Sequence, residues 1–237
     1  MKKLAPISVL VIVVLLAFTS VLALAHASYL GLPFAPTERT MGDVQRIFYY
    51  HVPSAWVAGL CFFLNFLASV WYLWKRSAGS DALAASSAEV GVVFCTVVLL
   101  TGPIWARPVW GIWWTWDARL TTTLVLWLIY VSYLVLRRFS AGGQTQVLAA
   151  AFAIFGFADV PIVYMSIRWF RTQHPSPVIG GGEGSGLDPA MAHVFLINLA
   201  AFTVIGLLFV WLRYRLQVEE QALEAAHAQA ALKGGSR

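Results

Sequence analysis

Charge is the scarcest ingredient of this chain. Only 11% of its 237 residues are Asp, Glu, Lys or Arg, 59% are hydrophobic, and the mean hydropathy is +0.73. A soluble domain is roughly a quarter charged, so a water-soluble fold could not hide this much apolar surface. Cysteine is nearly absent. Cys61 and Cys95 both lie inside apolar runs, without CxxC spacing, which argues against a metal clip or redox pair and for two buried free thiols. The chain has no phosphate-binding Walker loop, no HExxH and no nucleophile elbow, so no ATPase or hydrolase chemistry is expected of it. Any ATP needed for transport must come from another chain. The 16 Lys and Arg only modestly exceed the 11 Asp and Glu. Cytoplasmic loops of membrane proteins produce such an excess, and it points to no nucleic-acid partner.

What is abundant is long apolar runs. A spanning helix needs about 20 mostly apolar residues, and six stretches qualify, at about 8–28, 54–74, 84–104, 120–137, 147–168 and 190–212. The expected fold is therefore all-α: a polytopic bundle of six transmembrane helices over residues 1–212, followed by a tail over 213–237. The first run follows Lys2 and Lys3 and ends in Ala25-His26-Ala27, which imitates a signal-peptide cleavage site. Its apolar stretch is long for a signal peptide, and it is read as a retained helix. The Ala-, Glu- and Gln-rich tail is read as a solvated extension of the last helix, ending at Gly234-Gly235.

Lys2, Lys3, Lys75, Arg76, Arg137, Arg138, Arg213, Arg215, Lys233 and Arg237 fall on one side of this topology. Arg39, Arg46, Arg107, Arg119, Arg168 and Arg171 fall on the other. The positive-inside rule makes the first side cytoplasmic. Both termini are then inside, and residues 29–53, 105–119 and 169–189 face outward.

The middle outward segment, Trp105 to Arg119, holds five tryptophans, two arginines and Asp117. An interfacial aromatic belt alone does not cluster so densely. Indole faces are large, rigid and apolar, and they stack on planar aromatic ligands. Arg107 and Arg119 can pair with carboxylates such as those on a porphyrin edge, and Asp117 could orient Arg119 or an indole N–H. The alternative is a re-entrant loop with Trp anchors. Two histidines add weight to the ligand reading. His51 stands just before the second span, with Pro53 suited to the first helical turn. His193 opens the last span, where Asp188 can cap the helix and Pro189 can start it. Both imidazoles fall at the same outer depth, and imidazole is a good axial ligand for haem iron. His26 and His174 rank below them, His174 as a transient ligand or docking residue. Within the membrane Glu89 and Asp159 stand out, as a polar path or as buried hydrogen-bonding posts, since an ionisable group there must be paired or wet. Pro161, two residues after Asp159, is expected to kink the fifth helix.

The run Trp110-Gly111-Ile112-Trp113-Trp114-Thr115-Trp116-Asp117-Ala118-Arg119-Leu120-Thr121 resembles the WWD signature, here about 105–121, of the haem-handling membrane proteins of cytochrome c biogenesis. Length, span count and order resemble the cytochrome c maturation protein C family (CcmC, haem exporter protein C), as do Asp159–Ser166 and Arg168–Pro175. Phe170 stands where a second Trp is commoner in that family, and the Gly-rich stretch 180–186 is less typical of it. The resemblance implies a multi-pass protein of the bacterial inner membrane that handles transiently bound haem b (iron protoporphyrin IX) at its periplasmic face. His51 and His193 would be the axial ligands. Trp110, Trp113, Trp114, Trp116, Asp117 and Arg119 would form the platform, with Arg46, Arg107, Arg168, Arg171 and His174 as secondary candidates. Implied partners are the periplasmic haem chaperone CcmE, the small membrane protein CcmD, the CcmA and CcmB ATPase complex, and membrane lipid. Two other classes compete: a b-type electron-transfer subunit with permanent haem, and a transporter or scaffold whose tryptophans only anchor a loop.

Overall fold

The computed structural model describes residues 35–139, 144–175, 177 and 186–234, so the expected first span at 8–28 lies outside the described residues. A 3-10 turn, Asp43–Ile47, leads into α1 (Phe48–Lys75), followed by α2 (Ala78–Trp110), α3 (Ala118–Phe139), α4 (Thr145–Phe157), α5 (Asp159–Trp169) and α6 (Pro189–Gly234). With α4 and α5 taken together, five helical stretches among the described residues are long and apolar enough to cross a membrane. The chain is an all-helical polytopic membrane protein. Large side chains such as Leu100, Phe155 and Leu196 stand more than half exposed, as expected where hydrocarbon rather than water is the neighbour.

Local chemistry sets the element ends. Arg76 takes a left-handed conformation (φ 53°) and Ser77 accepts a hydrogen bond from the Ser80 N–H at 3.2 Å, so α1 turns directly into α2. The α1 helix begins at Phe48 rather than near residue 54. His51 therefore sits in its first turn and Pro53 inside it, where the missing N–H falls opposite the Tyr49 carbonyl. The α2 helix runs to Trp110 through Pro103 and Pro108. The first part of the expected outward loop is thus helical, and only Gly111–Asp117 is irregular. The fifth span breaks at Ala158, as Pro161 foretold: it has no N–H for the Phe157 carbonyl, and its ring crowds that oxygen. The last helix continues unbroken past residue 212 into the tail.

The α1–α2 hairpin is the centre of the bundle. α6 packs on both of its helices, α4 packs on α1 and α3, and α5 packs on α3. Close approach requires glycine at two contacts: a Cβ on Gly91 would lie 2.6 Å from the Phe62 ring, and one on Gly206 2.4 Å from Val57 Cγ1. Phe62 stacks on Tyr130 of α3 at 3.8 Å, and Cys61 and Cys95 are buried in the same core as free thiols.

Two ion pairs tie α2 to its neighbours at the end opposite the tryptophans. Arg137 of α3 grips Asp81 with two bonds of 2.6 and 2.9 Å, and Gln221 of α6 donates to the same carboxylate at 3.0 Å. Two turns deeper, Arg213 of α6 pairs with Glu89, one of its bonds 3.1 Å long. Glu89 is thus a partnered post. Asp81→Ala is expected to destabilise the protein by about 2–3 kcal/mol, because it removes the buried carboxylate that both Arg137 and Gln221 bond and leaves the partly buried Arg137 cation without it. Thermal unfolding in detergent measures this, and a midpoint equal to wild type would refute it.

Candidate functional site

The other end of the bundle gathers the residues with unusual chemistry. Phe48 and Tyr49 in the first turn of α1 pack with Ala35 and with Val194 and Phe195 of α6. Phe48 lies 5.1 Å from the Phe195 ring and 6.4 Å from Trp105 on the last turns of α2. This aromatic wedge holds the start of α1 against α2, and His51 follows on the same turn. The His51 ring is buried and meets the edge of Trp105 at 5.8 Å and 72°. Its Nδ1 lies 2.8 Å from Thr101 Oγ1.

The WWD turn is built by its own polar groups. Gly111 adopts φ 80° and its N–H returns to the Arg107 carbonyl at 3.0 Å, while the Arg107 guanidinium donates to the Gly111 carbonyl. Only a residue without Cβ takes that conformation at no cost. Asp117 closes the turn by accepting the Leu120 N–H at 3.0 Å and the Thr115 hydroxyl at 3.2 Å. It caps α3 and does not hold Arg119. The Arg119 guanidinium donates instead to the Val163 carbonyl of α5, and so binds the WWD helix to the kinked span. Trp113 and Trp116 project 59% and 76% exposed, whereas Trp110 and Trp114 are half-buried. Trp114 meets Trp116 edge to face at 5.7 Å. The indole nitrogens of Trp105 and Trp114 are buried without a hydrogen-bond partner. Two such donors beside exposed indole faces fit a flat ligand with acceptor groups at its edge.

His174 joins this group. Its backbone N–H donates to Thr172 Oγ1 at 3.0 Å, and its Nδ1 lies 2.9 Å from the Pro175 carbonyl. A carbonyl only accepts, so Nδ1 carries the proton and Nε2 keeps the lone pair. Burial first, and the Arg119 cation next, push the imidazole down to about 4, so at neutral pH it is an unprotonated base, the form that ligates metal. His51, His174 and Arg119 lie within electrostatic reach of one another. His193 stands elsewhere on its helix: Met191, Val194, Phe195 and Asn198 form the buried stripe of α6, and His193 lies off it with exposed Leu196 and Ala200. The expected cap there is present, with Asp188 accepting the Ala190 N–H at 2.9 Å. Among the secondary residues, Arg46 pairs with Asp43 at 3.2 Å and Arg168 lies over Tyr164 at 4.9 Å, while Arg171 is exposed. Asp159 is half-buried with one carboxylate oxygen unpartnered. Among the described residues no three His, Cys, Asp or Glu converge on a metal position, so a metal here would rest on paired imidazoles and a carrier of its own.

Sequence reading passed over Thr101. A threonine in an apolar helix carries no signal until its partner is known, and only the packing of α1 on α2 supplies that partner. Asp117→Ala is expected to cost about 1 kcal/mol through loss of the cap, with Asp117→Asn close to wild type in a thermal melt. Equal losses in both variants would show that the charge, and not the cap, is what matters.

Comparison with known proteins agrees with this geometry. The family model described as CcmC, Heme exporter protein C, matches residues 3–229. The chain is 36% identical over 192 residues to a Heme exporter protein C of Bradyrhizobium diazoefficiens, covering 80% of this chain and 72% of that one. It is 32% identical over 202 residues to the Heme exporter protein C of Escherichia coli K12, covering 84% and 81%. A cytochrome c biosynthesis ccmC-like mitochondrial protein of Marchantia polymorpha is 33% identical over 187 residues, covering 78% and 79%. With the family matched over nearly its whole length and its WWD turn folded between two imidazole-bearing elements, the chain belongs to the CcmC, or Heme exporter protein C, family.

Proposed function

We propose that this protein handles haem for cytochrome c maturation, holding iron protoporphyrin IX at the WWD end of its bundle between His51 and His174. The observation that carries this reading is the tryptophan turn, with Trp113 and Trp116 exposed, at the same end of the bundle as His51, whose ring is seated against Trp105. Each imidazole has its Nδ1 in contact with a protein oxygen, which leaves Nε2 of each for iron. Exposed Trp113 and Trp116 offer stacking faces, and the unpartnered indole N–H groups of Trp105 and Trp114 offer donors to carboxylates. The chemistry of this donor set fits haem, whose iron takes two axial nitrogens while its propionates take hydrogen bonds. Exposure of the platform favours release over permanent retention, since a permanent haem is better buried between helices. That weighs against an electron-transfer subunit and for delivery to the periplasmic chaperone CcmE, alongside CcmD and the CcmA and CcmB ATPase complex. The positive-inside distribution supports an outward orientation for this end, which in this reading is the periplasmic face of the inner membrane.

We favour His51 with His174 over His51 with His193 as the ligand set, because His193 lies on the exposed side of α6. The test is the visible spectrum of the detergent-purified, haem-loaded chain, oxidised and reduced. His51→Ala and His174→Ala are each expected to abolish the low-spin b-type bands or convert them to high spin, and His193→Ala to leave them unchanged. Loss in His193→Ala with retention in His174→Ala would restore His193 as the ligand. No haem bound by the wild type would remove the ligand reading and leave the tryptophans as a docking surface.

A further inference from the structure

Resting on the reading of His51 as an iron ligand, we infer that Thr101 is its positioning residue, fixing the imidazole in the Nδ1–H tautomer with Nε2 turned to the cargo. Thr101 Oγ1 lies 2.7 Å from the Val97 carbonyl oxygen and 2.8 Å from His51 Nδ1. A hydroxyl has one proton, and a carbonyl oxygen can only accept it. If that proton pointed at His51, two oxygens would face each other at 2.7 Å with no hydrogen between them. The proton therefore lies toward Val97, and the hydroxyl's lone pairs accept from Nδ1–H.

The remainder of the seat agrees. Thr101 and Trp105 are one helical turn apart on α2 and share a face, and between them Gly102 lies so close that a Cβ there would be 3.5 Å from His51 Cε1. Trp105 closes the ring's side with its edge-to-face contact. The ring is held at Nδ1 by Thr101 and along one side by Trp105, and Nε2 is the ring nitrogen left over. His174 reaches the same tautomer by a different route, through the Pro175 carbonyl. A histidine whose Nδ1–H is held by an acceptor is oriented before its metal arrives and is a stronger donor to it, and loss of such a partner typically costs about 10- to 100-fold in metal affinity.

Thr101→Val removes the hydroxyl and keeps the shape. Titrated with haem in detergent, the full chain carrying Thr101→Val is expected to bind about 10- to 100-fold more weakly. Its reduction potential should move positive, because an imidazole without its acceptor donates less to ferric iron. Thr101→Ser, which keeps the oxygen, should restore both. Wild-type affinity and potential in Thr101→Val would overturn the assignment, as would failure of the serine to rescue. His51→Ala separates this from the underlying reading. If it loses haem while Thr101→Val does not, the ligand stands and the positioning role falls. If it retains the wild-type spectrum, both fall. Should Thr101→Val fail to fold, nitrogen-15 NMR of the haem-free wild type decides, with the His51 signals identified by their loss in His51→Ala. A proton on Nδ1 supports the assignment, and one on Nε2 overturns it.

Discussion

Ionisable side chains on a membrane-spanning helix must be paired or hydrated, and α2 carries two carboxylates, one in its first turn and one two turns on, that meet this constraint through arginines of other helices. Asp81 engages α3 through Arg137 and α6 through Gln221, and Glu89 engages α6 through Arg213. Because guanidinium and carboxylate match as bidentate forks, the Asp81 pair fixes rotation as well as distance. Once α2 is held at that end, the register of its far end follows. The His51 seat, Thr101 and Trp105, lies further along the same helix. The polar anchors at one end and the histidine and tryptophan chemistry at the other are thus joined by one helix.

The bundle divides its chemistry by depth. At the anchored end arginines are consumed by carboxylates. At the WWD end Arg107 and Arg119 are consumed by backbone carbonyls, of Gly111 and Val163 respectively. The first bond satisfies a carbonyl in the turn after α2, and the second adds a donor from α3 to a carbonyl of α5 that also accepts the Ser166 hydroxyl at 2.7 Å. Arg119 therefore builds the site while still sending a positive field toward His174. That field and burial keep the imidazole neutral, so a cation near the site favours metal ligation over protonation.

The exposed indoles and the buried imidazoles have opposite requirements, and the fold meets both. Trp113 and Trp116 stand free on a short turn pinned by Gly111 and Asp117. His51 sits in the first turn of a long helix, wedged by Phe48 against Phe195 and Trp105. A buried, well-seated imidazole and accessible indole faces thus coexist at one end of the bundle.

Hydropathy, Pro161, the Asp188 cap and the WWD run were legible one-dimensionally, because each is decided by neighbours within a helical turn or a span. From them came the helical membrane class, the order of spans, the kink, the family resemblance and His51 as a candidate. The helix starts at Phe48 and the extension of α2 to Trp110 were not legible, since prolines that usually end helices are tolerated where tertiary packing holds the rest of the turn. Nor was the facing of His193 relative to His174. Both sit at the same depth in a topology diagram, and only the rotation of α6, set by which of its faces packs on Phe48 and Tyr49, turns His193 outward. Depth is a property of the sequence, because apolar length measures it. Facing is a property of the tertiary structure, because it depends on which side chains from distant segments interlock.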